Sequence, residues 1–463
     1  MMYTRGMVRA KRAGERRKQP AFKLDVGSAL QRCDELLAAI YTEQTASGGL
    51  PADDERSDGV LRVFGRLGFP LGDADGAVAL YRAHRHGGDA TRFFRNLEGH
   101  AEVRCRASNP ECDSCSLVSF CAFGTKEILR LASGNPLVVD LCSGAGSLSA
   151  AFRREGLRVI LAVEKERHAA QSYRLNNPGV QVIEADMRRI TSRNVLTMTG
   201  CRKGELSAVI SGPPCQGFSA AGHRRPTARQ NFLYRCVAKI AAGVGAAIVV
   251  MENVPGLRLV NGVRFESRIL ASFRALGYRA TSFEVNSSDF GVPQHRRRLL
   301  FVGLQDRLGL DPVAPSPIDS TRDAPTVADA LRGLPSPKAG GRECQPMIKG
   351  EVLHNHRAME HSESVVTKIR GILPGQGPLS YRRLTWGTAR TIVAGHRAMP
   401  VHPSEHRTIT VREAARIQTL PDQFRFLGPH SEQPLQVANV VPFQLGRSIA
   451  RTVIGYLRRL RDT

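Results

Sequence analysis

The sequence predicts a doubly wound α/β domain over residues 132–305, completed by the last segments of the chain and preceded by a small all-α module. Three observations carry this. From Leu137 onward, short apolar runs alternate with amphipathic stretches, in the order LVVDLC, RVILAVE, VQVIEAD, LSAVISG, AAIVVMENV and RRLLFVG. Runs this short and this apolar fit parallel strands buried on both faces by helices. The first run opens into a glycine-rich turn at Cys142–Ser147, where the backbone of such a domain approaches its ligand. Ahead of the domain the period is three to four instead, in Leu30, Leu36, Leu37 and Ile40 and again in Val60, Leu61, Val63, Phe64 and Leu67.

A chain of 463 residues exceeds what one core organises and implies two or three domains. Its 66 Lys and Arg against 42 Asp and Glu leave a formal charge of +24, which favours a polyanionic partner because each neutralised phosphate releases condensed counterions. A basic surface without a nucleic-acid role gives the same count, so the motifs decide. The longest apolar run, Ala241–Met251, is far short of the roughly 20 residues of a membrane span.

Taken in order, residues 1–22 hold Arg5, Arg9, Lys11, Arg12, Arg16, Arg17 and Lys18 against one acid, Glu15, without the apolar core of a secretory signal. A disordered basic arm is expected, with an organelle transit peptide as the alternative. Ten cysteines with four bunched between 105 and 121 do not resemble a secreted disulfide framework. The compartment is expected to be reducing, as in a cytoplasm.

Residues 23–125 form the helical module, broken at Gly48, Gly49 and Pro51. It ends in CRASNPECDSCSLVSFC, where Cys105, Cys112, Cys115 and Cys121 are spaced C-x6-C-x2-C-x5-C. Four thiolates in 17 residues suit one tetrahedral metal or one iron-sulfur cube. Zinc sites usually show two close pairs, and only Cys112 and Cys115 are close here, so a [4Fe-4S] cluster is expected, with zinc as the alternative. The spacing resembles the loop of endonuclease III and MutY-type DNA glycosylases, and LRVFGRLGF at 61–69 resembles the helix before it. That likeness, over residues 55–124, implies DNA binding with Arg104 and Arg106 on phosphates. It does not carry glycosylase chemistry: the position expected to hold the catalytic Asp is Ser57, with Asp58 one place off, and no hairpin of the L-P-G-V-G type precedes it.

Within 132–305 the strand ends are informative. Glu164 closes the second run some 20 residues after the turn, where a carboxylate can accept both hydroxyls of a ribose, and Asp186 closes the third, where it can take an adenine amine. The fourth run leads into SGPPCQGFSAAG at 211–222. At this point the chain resembles the DNA cytosine-5 methyltransferase family. DLCSGAG, AVE, EAD, GPPCQGFS, MENVPG, VPQHRRR, RTITVREAARIQTLPD and ANVVP recur in order over residues 137–455. The likeness implies a Rossmann-like S-adenosylmethionine-dependent fold, duplex DNA as substrate and a restriction-modification role with a possible cognate endonuclease, acting as a monomer. An RNA-directed relative acting on tRNA is the alternative. Two departures stand out: Cys142 replaces a Phe beside the cofactor, and Ala438 replaces a Gly before Asn439.

The residues carry the chemistry independently. Carbon 5 of cytosine is a poor nucleophile until a group adds to carbon 6, and Cys215 is the thiol for this, stiffened by the two prolines before it. A free thiol of pKa about 8.5 is mostly un-ionised at neutral pH, so Cys215 needs a positive or dipolar neighbourhood. Glu252, at the end of the fifth run, is the candidate to protonate or bind ring nitrogen 3, with burial raising its affinity for a proton. Arg296 and Arg298 alternate along one face of a strand, where they are expected to hold the base carbonyl and a phosphate, with Arg297 facing away. By the family resemblance, Gln294 and Asn439 are expected to act as scaffold for these loops rather than as reactive groups. Together with the resemblance, which adds Met187, Pro214, Leu233, Asn439 and Val440, the expected cofactor contacts are Cys142, Ser143, Gly144, Ala145, Gly146, Glu164 and Asp186.

A stacked base is out of reach of a thiol, so the cytosine must be flipped, with Ser219–Arg229 as the flap. From residue 306 to 400 regular alternation fails and Pro, Gly, Arg and His accumulate, which makes this loop-rich insertion the expected reader of DNA sequence. Residues 401–463 return to helical periodicity and are expected to pack back on the sheet.

Overall fold

The computed structural model describes Val63 and residues 136–214, 232–259, 261–318, 325–337, 347–348, 351–378, 381–393 and 399–460. The basic arm, the helical module with its four cysteines apart from Val63, Cys215 and the flap at 219–229 lie outside the described residues.

The chain runs β1 (Leu137–Leu141), α1 (Ser147–Arg154), β2 (Arg158–Glu164), α2 (Arg167–Asn176), β3 (Gln181–Glu184), α3 (Ser192–Thr199), β4 (Ala208–Ser211), α4 (Leu233–Val244) and β5 (Ile248–Asn253). It continues through α5 (Phe265–Arg274), β6 (Tyr278–Asn286), β7 (Gln294–His295) and β8 (Arg297–Gln305). Residues 306–400 contribute α6 (Val327–Leu331), β9 (Met347–Ile348), β10 (Glu351–Val352), α7 (Glu363–Arg370) and β11 (Ala389–Arg390). The last elements are α8 (Val411–Ile417), α9 (Gln433–Asn439) and α10 (Phe443–Arg459).

The seven-stranded sheet has the order β3-β2-β1-β4-β5-β8-β6. The first five strands are parallel, as their two-sided apolar runs require. The sixth run, RRLLFVG, does not continue that pattern. As β8 it lies antiparallel to both β5 and β6, and β6 itself, YRATSFEVN, was not among the predicted strands. The reason is visible in its burial: four consecutive residues of β6, Thr281–Glu284, are only half-buried, so an edge strand lacks the apolar run that betrays a central one.

Successive side chains along each strand serve opposite faces. Val139, Leu141, Val209, Val249, Met251, Leu299 and Phe301 pack under α3, α4 and α5. Val138, Val159, Ala208, Ile210, Val250, Leu300 and Val302 pack under α1, α2 and α10. Each fully buried Val or Leu contributes about 1.5–3 kcal/mol. Gly446 lets α10 lie against α1, because a Cβ there would meet the Ala151 methyl at 2.8 Å. A third cluster joins α6, α8 and α9 with Leu384, Ala389, Ile392 and Met399, and includes Ala145 of the glycine-rich turn. Among the described residues no helix is long and apolar enough to cross a membrane.

Candidate active site

The five parallel strands end on one edge, and their C-terminal residues carry the predicted groups. Between β1 and α1 the backbone enters the left-handed region at every second residue, at Cys142 (φ 55°), Gly144 (φ 57°) and Gly146 (φ 87°). Gly144 opens on free space: a Cβ there would meet nothing within 4 Å. Gly146 is the opposite case, since a Cβ would lie 2.3 Å from Asn177 Nδ2 and 2.6 Å from Tyr173 Cδ2. One glycine leaves room beside the backbone and the other lets α1 start against α2.

Glu164 crosses to this turn. Its Oε2 accepts Gly144 N–H at 2.7 Å, and its Oε1 accepts the N–H groups of Lys165 at 2.7 Å and Glu166 at 2.8 Å. Burial pushes its carboxyl above the usual range against those three bonds. A carboxylate offers about four acceptor positions, so one remains, on Oε2. The expectation that Glu164 takes two ribose hydroxyls is thereby narrowed to one direct bond in this arrangement. Asp186 receives Arg188 N–H at 3.0 Å and both edges of the Arg188 guanidinium, which hold it at about 2. Met187 is buried, and the Cys142 thiol donates to its sulfur at 3.6 Å. Burial raises the Cys142 thiol well above its ordinary value, which keeps it a neutral packing group where a Phe was expected. Leu233 is buried at the start of α4, Pro214 and Asn439 are exposed, and Val440 is buried. The open space at Gly144, the spare Glu164 oxygen and the apolar Met187 and Leu233 fit an adenosyl ligand with a ribose.

One buried acid was not anticipated. Asp140 sits inside β1, accepts the Ser149 hydroxyl at 2.6 Å, and Ser149 in turn accepts the Tyr173 hydroxyl at 2.6 Å. Burial raises Asp140 to about 8. Its signal in the sequence was a lone acid within an otherwise apolar strand.

The antiparallel course of β8 assembles the second half of the site. β5 ends where β8 begins, with Glu252 opposite Leu300 and Asn253 opposite Leu299. Arg298 is therefore the next residue along, and its Nε lies 2.6 Å from Glu252 Oε1, with both side chains nearly buried at 9% and 13% exposure. Arg298 also donates to the Arg297 carbonyl at 2.8 Å. A Cβ on Gly212 would stand 3.9 Å from Glu252 Oε2, and Asn253 Nδ2 donates to the Pro213 carbonyl at 3.3 Å. The Gly212–Pro214 segment that leads to Cys215 is thus tied to the Glu252 strand. Cys215 itself lies outside the described residues.

Arg296 departs from the expected role. It is 2% exposed, and its guanidinium donates to the carbonyls of Ile392 at 3.4 Å, Ala438 at 2.8 Å and Val440 at 3.0 Å. A guanidinium committed to three backbone carbonyls is a clamp between the start of β8, the segment after β11 and the ANVVP turn, not a ligand for a base carbonyl or a phosphate. Strand alternation alone put it beside Arg298, but Arg296 falls in the break between β7 and β8 and turns elsewhere. Arg297 faces outward, paired with Glu284. Gln294 is fully buried and accepts Ile392 N–H at 3.2 Å.

Comparison with known proteins agrees with this geometry. The profile of the C-5 cytosine-specific DNA methylases matches residues 137–455. The type II methyltransferase M1.HphI of Haemophilus parahaemolyticus is 34% identical over 334 residues, spanning 68% of this chain and 86% of that protein. The type II methyltransferase M.DdeI of Desulfomicrobium norvegicum is 28% identical over 378 residues, spanning 70% of this chain and 89% of that one. Among solved structures, a putative DNA modification methyltransferase encoded within a prophage of Escherichia coli is 25% identical with a TM-score of 0.60, spanning 70% of this chain and all of that one.

Proposed function

The chain belongs to the C-5 cytosine-specific DNA methylase family, and from that membership we propose how its residues divide the reaction. The protein is a DNA cytosine-5 methyltransferase, and relatives named type II methyltransferases support a sequence-specific modification role. The observation that carries the residue assignment is the 2.6 Å contact between Arg298 and Glu252 beside the Gly212–Pro214 segment.

Cys215 adds as a thiolate to carbon 6 of a flipped cytosine, which turns carbon 5 into an enamine carbon able to take up a methyl group. Glu252 delivers a proton or a hydrogen bond to ring nitrogen 3 as negative charge builds there. Arg298 orients Glu252 and faces the base carbonyl. Loss of the carbon 5 proton to a water molecule lets the Cys215 sulfur leave as thiolate, restores the aromatic ring and returns the nitrogen 3 proton to Glu252. The methyl donor expected of the family is S-adenosylmethionine, which supplies an electrophilic methyl carbon on a sulfonium. The turn Cys142–Gly146 would hold it together with Glu164, Asp186, Met187, Pro214, Leu233, Asn439 and Val440. Arg296 serves by holding the Ala438–Val440 backbone against that site.

The finer assignments rest on the sequence. Residues 306–400 read the DNA sequence, and 401–463 complete the catalytic domain. Cys105, Cys112, Cys115 and Cys121 hold a [4Fe-4S] cluster, or zinc, as a clip in a DNA-binding module. The enzyme acts as a monomer in the cytoplasm at the nucleoid, with a cognate restriction endonuclease as partner.

Transfer of labelled methyl to unmodified duplex DNA by anaerobically purified protein, beside its Cys215→Ser variant, tests the reading. Label at carbon 5 of cytosine that vanishes in the variant is expected, as is a broad visible absorbance from the cluster. Label entering tRNA and no duplex DNA would overturn the assignment of substrate, and a colourless protein holding stoichiometric zinc would replace the cluster.

A further inference from the structure

The short ribbon that β11 makes with β7 turns an outer face to solvent. The two strands pair in parallel, Ala389 with Gln294 and Arg390 with His295. Paired residues share a face, and the two faces differ sharply. Ala389 and Gln294 are buried at 1% and 0%, whereas Arg390 and His295 are both exposed. The ribbon is fixed on its inner side, where Ile392 N–H reaches Gln294 and the Ile392 carbonyl takes Arg296. Thr391 Oγ1 donates to the His295 carbonyl at 2.9 Å, and the His295 ring lies 3.4 Å from Asn286 Nδ2. Arg390 is thereby presented outward on a backbone anchored from both neighbours, paired with His295, which lies three residues along the chain from Arg298.

The exposed arginines near this edge are not equivalent. Arg297 is paired with Glu284, and Arg258 with Glu266 and Glu284. Arg298 is held by Glu252. Among the described residues Arg390 meets no carboxylate and makes no side-chain hydrogen bond. It is an uncompensated guanidinium beside an imidazole, at the seam between the recognition segment and the catalytic strand, in a chain of net charge +24. A planar fork of donors with an adjacent ring N–H suits one tetrahedral oxyanion, and the polyanion this enzyme works on is duplex DNA.

We propose that Arg390 and His295 form a backbone-phosphate clamp that positions the target strand over the Glu252–Arg298 centre without reading bases. This rests on the DNA-directed reading of the site. A phosphate contact positions the duplex and carries no sequence information, so its loss weakens binding to all sequences alike and lowers the salt dependence.

The test measures methyl transfer and duplex binding across a salt series for the wild type and for Arg390→Ala, Arg390→Lys, His295→Ala and Arg297→Ala, using unmethylated plasmid DNA for transfer and random-sequence duplexes for binding. In Arg390→Ala the slope of log affinity against log salt is expected to fall by about 1. KM for DNA should rise about 5- to 10-fold, while kcat stays within about 2-fold, as for a positioning contact made equally in ground and transition states. Arg390→Lys should recover most of the slope but not the full KM, and Arg297→Ala, already neutralised by Glu284, should resemble the wild type. Thermal melting of each variant controls for folding. An Arg390→Ala enzyme with the wild-type slope and KM overturns the clamp. A wild type that methylates no DNA overturns the DNA-directed reading instead.

Discussion

The ion pair between Glu252 and Arg298 allows a worked prediction. With 2.6 Å between Nε and Oε1 the charge centres lie about 4 Å apart, and at an effective dielectric of about 20 their attraction is about 4 kcal/mol. Part of this is offset by the water both groups gave up, so the pair's net worth is smaller. Removing one partner strands the other, at a cost of about 3–5 kcal/mol. Arg298→Met should therefore lower both stability and single-turnover methyl transfer, because the Glu252 carboxylate loses the group that orients it. Glu252→Gln keeps the shape and an acceptor for Arg298 but cannot give up a proton, and transfer should fall by about 10²–10⁴. In the double variant the Arg298 change should cost far less than it does alone, leaving a coupling of about 2 kcal/mol, or roughly 30-fold in rate. The assay is single-turnover transfer of labelled methyl at saturating DNA, alongside urea unfolding of all four proteins. Additive losses, with coupling under about 0.5 kcal/mol, would show that the two residues act independently and that the contact is not what organises the site.

Other consequences are more local. Gly146→Ala places a methyl 2.3 Å from Asn177 Nδ2 at a φ of 87°, and should lower stability by about 2–5 kcal/mol and weaken S-adenosylmethionine binding measured by calorimetry. Arg296→Met should leave the carbonyls of Ala438 and Val440 without their donor and raise hydrogen exchange through α9 and the start of α10; Arg296→Lys should not rescue it, since an ammonium lacks the planar fork. Asp140, raised to about 8 by burial, holds its proton more tightly folded than unfolded, so its contribution is complete below about 4 and is lost as pH rises toward about 8. Asp140→Asn should flatten that decline in melting temperature between about pH 4 and about pH 8, and an unchanged slope would mean that Asp140 is not the titrating group.

Much of the site was written in order along the chain because in a doubly wound sheet every parallel strand delivers its C-terminal residue to one edge. Cys142–Gly146, Glu164, Asp186, Gly212–Pro214 and Glu252 each follow an apolar run directly, so local pattern located them. Strand direction is another matter. Apolar periodicity is the same for a strand read either way, and RRLLFVG looked like one more parallel strand. A parallel strand would have put Arg298 at the opposite edge of the sheet from Glu252; the antiparallel pairing of β8 with β5 is what brings them together. The fates of Arg296 and Arg390 were likewise closed to pattern, because Arg296 depends on where Ile392, Ala438 and Val440 arrive from roughly 100 or more residues downstream, and Arg390 on the pairing of β11 with the distant β7. The sequence by itself determined which groups stand at the ends of the parallel strands, since those are set by residue type after each apolar run. The tertiary structure decided which of the arginines pairs with Glu252, which clamps backbone carbonyls and which is left facing solvent, since a guanidinium's partners are fixed by the acceptors that surround it.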